Sequence, residues 1–258
     1  MVSVQQVSDQ YTNKILIHPP GLADGVCGVC HTWVTGYSLC WACKENRGKF
    51  GQLAADVVVP IGMSVKGQQY AHELHNYKDG RDSRTALLIG ARLACVLWRF
   101  LTEHEACVAR AAGVEAAAFQ AVTTVPSGSG RIGEHPLRRM AATWVEPARS
   151  RYVDLLEATN ANSKERDHEV VVDRYRMREK SVKGASVLLI DDTWTKGVHA
   201  QAAAATLKAA GATHVAVLVL GRHINPEYQD HKLLVGRAAQ RPFTWDWCCV
   251  HDLPNGLW

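Results

Sequence analysis

The sequence predicts an α/β protein whose parallel sheet is flanked by helices, and three observations carry that expectation. Residues 187–190 (VLLI) and 214–220 (HVAVLVL) are apolar runs of strand length, and the alanine-rich residues 198–210 between them read as a helix. A helix joining two all-apolar strands is a βαβ unit, whose sheet is buried on both faces. The chain has 258 residues, 47% of them hydrophobic, enough for one large domain or a medium domain with a small appendage, which excludes disorder along most of its length.

The amino-terminal residues MVSVQQVSDQ have neither a basic flank nor an apolar core, and no stretch reads as the roughly 18–20 apolar residues that span a bilayer. The expectation is a soluble, cytoplasmic protein without a membrane partner. Next comes VCGVCHTWVTGYSLCWAC, in which Cys27 and Cys30, then Cys40 and Cys43, form two C-x2-C pairs. Two residues between thiols let both sulfurs of a turn converge on one ion, and four thiolates suit a closed, structural zinc site. Four reduced buried cysteines, or a disulfide pair, are the alternative. This spacing defines a zinc-ribbon module over residues 20–50, with His31 beside it read as a surface residue.

Residues 85–112 contain few breakers and repeat Leu88, Ala91, Ala94, Cys95, Trp98 and Leu101 at helical spacing, predicting one long helix or two, with Cys95 and Cys107 in the core. Residues 116–125 read as a strand ending at Pro126. A Gly and Ser loop, a basic helical stretch including residues 137–144, a polar run at 159–167 and a short strand at 170–172 follow. The tail, 223–258, carries Phe243, Trp245 and Trp247; a strand with both tryptophans on one face and packed on the core is the expectation, an aromatic hood over a base the alternative. Cys248, Cys249 and His251 also lie here, but adjacent cysteines have poor geometry for one tetrahedral site.

The most informative segment is IDDTWTKGVHA. A buried strand delivers Asp191 and Asp192 to its carboxyl end, where open α/β sheets bind ligands, and a short loop leads into the helix. Backbone amides of Lys196, Gly197, Val198 and His199 would face an anion there, with the Thr195 hydroxyl as a donor. Carboxylates beside an anion hole accept hydrogen bonds from sugar hydroxyls, so together they suit a phosphorylated sugar.

At these residues the sequence resembles the phosphoribosyl pyrophosphate (PRPP) motif of type I phosphoribosyltransferases, and specifically the ComF family, in which a four-cysteine module precedes such a domain. Tyr77, Lys78, Asp79 and Gly80 resemble that family's basic segment, and Val125 and Pro126 through Arg131, with Gly133 and Glu134, resemble its pyrophosphate loop. The resemblance extends from Cys27 to about Arg222, giving a phosphoribosyltransferase-like domain over residues 51–222. The departures are Thr193 for an aliphatic residue, Lys196 for a second hydroxyl residue and His199 for Thr or Ser.

The resemblance implies transfer of a phosphoribosyl group from PRPP to an acceptor with release of pyrophosphate. Residues 195–199 would hold the 5′-phosphate, and Asp191 and Asp192 the ribose hydroxyls, directly or through magnesium-bound water. Ser127, Gly128, Ser129, Gly130 and Arg131 would cradle the pyrophosphate, with Lys78 a second cation. Two rival readings remain. Gly128, Gly130 and Gly133 spell G-x-G-x-x-G, with Asp154 about 20 residues on, a dinucleotide-binding pattern; Pro136 and a helical reading of YVDLLEA argue against it. Alternatively the altered loop belongs to a non-catalytic PRPP or nucleotide sensor, with the zinc module as an adaptor to nucleic acid or protein. The basic cluster Arg174, Arg176, Arg178, Lys180 and Lys183 could touch phosphates or form a solvated face. A formal net charge of only +4 argues against general nucleic-acid affinity and suits an anionic small substrate.

Overall fold

In the computed structural model the apolar runs are neighbouring strands of one parallel sheet, and strand periodicity sorts their side chains to two faces. The structure describes residues 3–12, 15–78, 84–127, 134–159, 173–229 and 231–251. Along the chain lie α1 (Val4–Thr12), α2 (Trp41–Phe50), β1 (Val57–Val65), α3 (Gln69–Asn76), α4 (Arg84–Ala111), β2 (Ala121–Thr124), α5 (Pro136–Arg139) and α6 (Glu146–Arg149). They are followed by β3 (Leu156–Ala158), β4 (Tyr175–Met177), β5 (Ser186–Trp194), α7 (Val198–Ala209), β6 (His214–Ile224) and α8 (His231–Ala238). The sheet order is β1-β6-β5-β2, all parallel, and β3 and β4 form a separate antiparallel pair.

Val187 and Leu189 of β5 and Val215, Val217 and Val219 of β6 are buried in one cluster with the alanines of α7. Leu188, Ile190, Ala216, Leu218 and Leu220 point the other way, into a cluster with Leu93, Leu97 and Phe100 of α4. Alternate residues of one strand therefore serve two cores, which is why both strands read as unbroken apolar runs. The alanines let α7 lie close to the sheet; Ala202, Ala203 and Ala204 are fully buried.

The expected βαβ unit is present with longer strands. Residues 85–112 form one helix, α4, by length and composition the one described helix that could cross a membrane, yet 14 of its residues are buried within the protein. The strand expected at 116–125 is confined to Ala121–Thr124. The segment before it is held instead by Glu105, which accepts from Phe119 N at 3.1 Å and pairs with Arg151 at 2.5 Å. The basic stretch forms α5, then a π-helical turn over Met140–Trp144. The strand expected at 170–172 lies outside the described residues.

Three strands were not anticipated: the antiparallel pair β3 and β4, of which β3 falls in the YVDLLEA stretch read as helical, and β1. β1 contains Pro60 and Gly62, which punctuate a sequence pattern, but it lies at the edge of the sheet, where a proline is tolerated. Its open side is covered: Met63 N donates to Ile17 O at 2.9 Å, and the Cys249 thiol donates to Pro60 O at 3.8 Å.

The tail differs from the expected strand. Residues 242–249 have no regular structure; Phe243, Trp245, Cys248, Cys249 and Val250 are buried in the cluster that holds α4. The aromatic packing is local, with the His18 ring stacked on Phe243 at 4.1 Å and Trp245 edge-on to Phe243 at 5.0 Å.

Candidate functional site

The acidic pair lies within β5, and β6 explains why. The apolar run stops at Ile190, but β6 continues to Ile224 and keeps pairing, with Asp191 opposite Val219 and Trp194 opposite Arg222. The connection to α7 is therefore only Thr195, Lys196 and Gly197. Gly197 caps α7 with φ +75°, and a Cβ there would lie 2.0 Å from Trp194 Cζ2. Both features require glycine, since the left-handed region penalises any Cβ and the Trp194 ring occupies the space.

Asp192 accepts from Tyr77 Oη at 2.6 Å and from Lys78 Nζ at 2.7 Å, while its own backbone N–H donates to Asp191 Oδ1 at 2.9 Å. The two carboxyls are consequently driven apart. Burial, then the neighbouring Asp192 charge, pushes Asp191 up to about 7. Burial alone would raise Asp192 as well, but the Lys78 charge and the hydrogen bonds from Lys78 and Tyr77 outweigh it and hold Asp192 below the ordinary carboxylate range.

Beside Asp192 opens a cleft of about 510 Å³ between the carboxyl ends of β1, β5 and β6 and the helix α3. Asp192, Thr193, Thr195 and Lys78 line it, together with Lys66, His72, His75 and His223. Its volume is that of a small-molecule site. Three chain segments, the end of β1, α3 with Lys78, and the end of β6, thus bring basic or imidazole groups to one side of the acidic pair. Burial, then the charges of Arg222 and Lys66, lowers His223, which favours its neutral form.

Of the expected site residues, Lys78, Asp192 and Thr195 line this cleft together. Lys78, expected on a pyrophosphate, is the ion-pair partner of Asp192. Ser127 follows β2 on the same edge of the sheet, since Thr124 pairs with Ile190. Gly128, Ser129, Gly130 and Arg131 lie outside the described residues, as do Asp79, Gly80 and Gly133. Lys196 turns elsewhere, its ammonium 5.9 Å from the Trp41 ring of α2 and its carbonyl accepting from Asn46 Nδ2 at 2.8 Å. Val198 is buried, and His199 Nδ1 lies 2.9 Å from Tyr175 Oη. Sequence reasoning missed His72, His75, Lys66 and His223. The signal available was a cluster of basic residues around the unassigned strand β1.

Asp154 is not helical as expected. It precedes β3 and pairs with Arg138 at 3.3 Å and Arg178 at 3.2 Å. The basic cluster is also divided: Arg174 is fully buried and Arg176 pairs with Glu157 at 2.5 Å.

The four amino-terminal cysteines converge, their sulfurs all within 4.8 Å of one another. Cys27 and Cys30 sit in a turn closed by the Cys27 N to Thr32 O bond at 2.7 Å and the Val26–Trp33 bridge. Cys40 caps α2, and Cys43 lies in its first turn, so the positive end of the helix faces the sulfurs. Cys30 and Cys40 are 3.8 Å apart, and Cys40 N donates to Cys27 Sγ at 3.3 Å. A tetrahedral ion with sulfur ligands at about 2.3 Å has S···S edges of about 3.8 Å, so the geometry is able to bind a metal such as zinc. Hydrogen bonding among the thiols, that from Cys30 opposing those from Cys40 and Cys43, lowers Cys27 to about 7.

His31, expected at the surface, is fully buried with φ +56°, its Nδ1 2.9 Å from Pro20 O. Buried Arg222 connects the cysteines to the acidic strand: its Nη1 donates to Trp194 O at 3.1 Å and to His223 O. Burial opposes its charge, but the neighbouring cysteine sulfurs, Cys30 foremost, outweigh that and raise it.

Comparisons with protein-family models, curated proteins and solved structures returned no match to this chain. The arrangement must therefore be read from its own chemistry: a split pair of carboxyls, a glycine-capped helix terminus and a basic cleft on one edge of the sheet.

Proposed function

We propose that the chain is a phosphoribosyltransferase-like protein of the ComF type that binds PRPP with magnesium and transfers its phosphoribosyl group to an acceptor. The observation that carries this reading is the placement of Asp191 and Asp192 next to the glycine-capped amino end of α7 and the basic cleft.

Each part has a task in that chemistry. Amides at the start of α7, with the Thr195 hydroxyl, suit the 5′-phosphate. Asp192, kept ionised by Lys78 and Tyr77, accepts from ribose hydroxyls, and Asp191, near 7, can hold or release a proton at neutral pH. Both carboxylates are hard oxygen donors that would hold magnesium, directly or through its water; when bound, the ion neutralises pyrophosphate charge. Lys66 and the cleft imidazoles suit the remaining anionic oxygens. The sheet edge fixes these groups before substrate arrives, and catalysis of this kind rests on positioning and charge stabilisation.

Calorimetry tests the reading. PRPP with magnesium is expected to bind, with the signal abolished by Asp191→Asn combined with Asp192→Asn. Absence of binding by PRPP, ribose 5-phosphate and nucleoside monophosphates, or binding indifferent to that double substitution, overturns it.

A second reading, a non-catalytic sensor with the cysteine module as adaptor to nucleic acid or protein, is favoured by the Asn46 bond to the Lys196 carbonyl. It ties α2, which carries Cys43, to the turn expected to hold phosphate. Ligand binding with no pyrophosphate release, and nucleic-acid affinity that falls steeply with salt, would select it.

A further inference from the structure

We infer that the chain carries a second zinc-class metal site, built from His104, Cys107, Cys248 and His251. The four ligand atoms lie within 4.8 Å of one another, although the two halves are some 144 residues apart in sequence. Each half repeats the spacing of the first cluster. His104 and Cys107 are three apart on α4, which puts them on one face of the helix. Cys248 and His251 are three apart in a turn closed by His251 N donating to Cys248 O at 3.0 Å.

The distances fit a tetrahedral ion. With metal–sulfur bonds of about 2.3 Å and metal–nitrogen bonds of about 2.0–2.1 Å, an S···N edge is about 3.6 Å. Cys107 Sγ lies 3.9 Å from His104 Nδ1 and 3.7 Å from His251 Nδ1. The His104 and His251 rings stand nearly perpendicular, 86° between planes at 6.1 Å, so that neither blocks the other.

The surroundings also favour an ion. His104, Cys107 and Cys248 are buried beside Phe100 and Trp245, in an otherwise apolar cluster. Burying the His104 imidazole with only a weak sulfur contact at Nδ1 is unfavourable, and coordination through Nδ1 compensates for that nitrogen. Two thiolates and two imidazoles are too soft for magnesium or calcium and match structural zinc. The consequence is structural: the ion clamps the irregular tail onto the carboxyl-terminal third of α4, which supplies the order that its missing strand pairing does not. His251 is exposed, so the ion is reachable from solvent.

Elemental analysis of the full chain, equilibrated with zinc and desalted, is expected to give about two zinc ions per chain. Cys248→Ser with His251→Ala should leave about one, and Cys27→Ser with Cys30→Ser should remove the other. His251→Ala alone, at an exposed position, serves if the double variants fail to fold. Cobalt replacement gives an independent readout, since sulfur-to-cobalt charge-transfer intensity should fall from that of six thiolates to that of four in Cys107→Ser with Cys248→Ser. A wild-type chain holding a single zinc, a count unchanged by the Cys248 and His251 substitutions, or a Cys107–Cys248 disulfide in non-reducing mass spectrometry would each overturn the inference.

Discussion

Replacing Gly197 by alanine probes the turn on which the proposed phosphate site depends. The added methyl group meets two separate obstacles. At φ +75° a Cβ strains the backbone by about 1–2 kcal/mol. It would also lie 2.0, 2.3 and 2.5 Å from Cζ2, Cε2 and Cη2 of Trp194, a ring that is itself 1% exposed and has no room to retreat. Overpacking of this kind costs about 1–3 kcal/mol, so the sum is about 2–5 kcal/mol. Urea unfolding followed by tryptophan fluorescence should show a lower midpoint with an unchanged slope. Trp194→Leu removes the three ring atoms in the way. In that background Gly197→Ala should cost only the backbone part, about 1–2 kcal/mol, leaving a coupling energy of about 1–3 kcal/mol. A cost under about 1 kcal/mol, or an equal cost in both backgrounds, would refute the claim that the Trp194 ring and the turn fix one another.

Two further outcomes are expected. Asp191 is raised from 3.8 to about 7 on folding, so its contribution to stability is complete below the unfolded value and declines as pH rises through the folded one. Thermal melts of Asp191→Asn should therefore lose the wild-type decline between about pH 4 and pH 7, and a parallel decline in both proteins would dismiss the assignment. Zinc loaded onto the four amino-terminal cysteines and then removed with a chelator should release the start of α2, which carries Cys40 and Cys43. Hydrogen exchange should then increase across Trp41–Phe50 and at Trp194, and unchanged protection at both would remove the proposed tie between module and turn.

The parts of the fold legible in the sequence were those where one physical signal dominates. β5, α7 and β6 announce themselves because burial on both faces demands unbroken apolar strands, and α4 because nothing interrupts it. β1 was hidden by Pro60 and Gly62, whose meaning reverses at the edge of a sheet. Cys27, Cys30, Cys40 and Cys43 were legible because their ligand pairs are short and close together. Cys107 read as ordinary core because His251 lies 144 residues further along the chain, and only the three-dimensional structure brings the two together. The acidic pair was legible at the end of its apolar strand, but its partners Tyr77 and Lys78 arrive from a segment more than 100 residues earlier, which fixes which carboxyl stays ionised.

The covering of β1 has a consequence for the fate of the protein during synthesis and storage. A strand edge with unsatisfied amides is a template for another chain, and natural sheets avoid self-association by blocking such edges. Here the guards are the backbone at Ile17 on one side of the sequence and Cys249 on the other. Until the segment around Cys249 has docked, β1 offers part of its edge to neighbouring molecules, so a stretch of chain 189 residues beyond Pro60 helps to protect the sheet from aggregation.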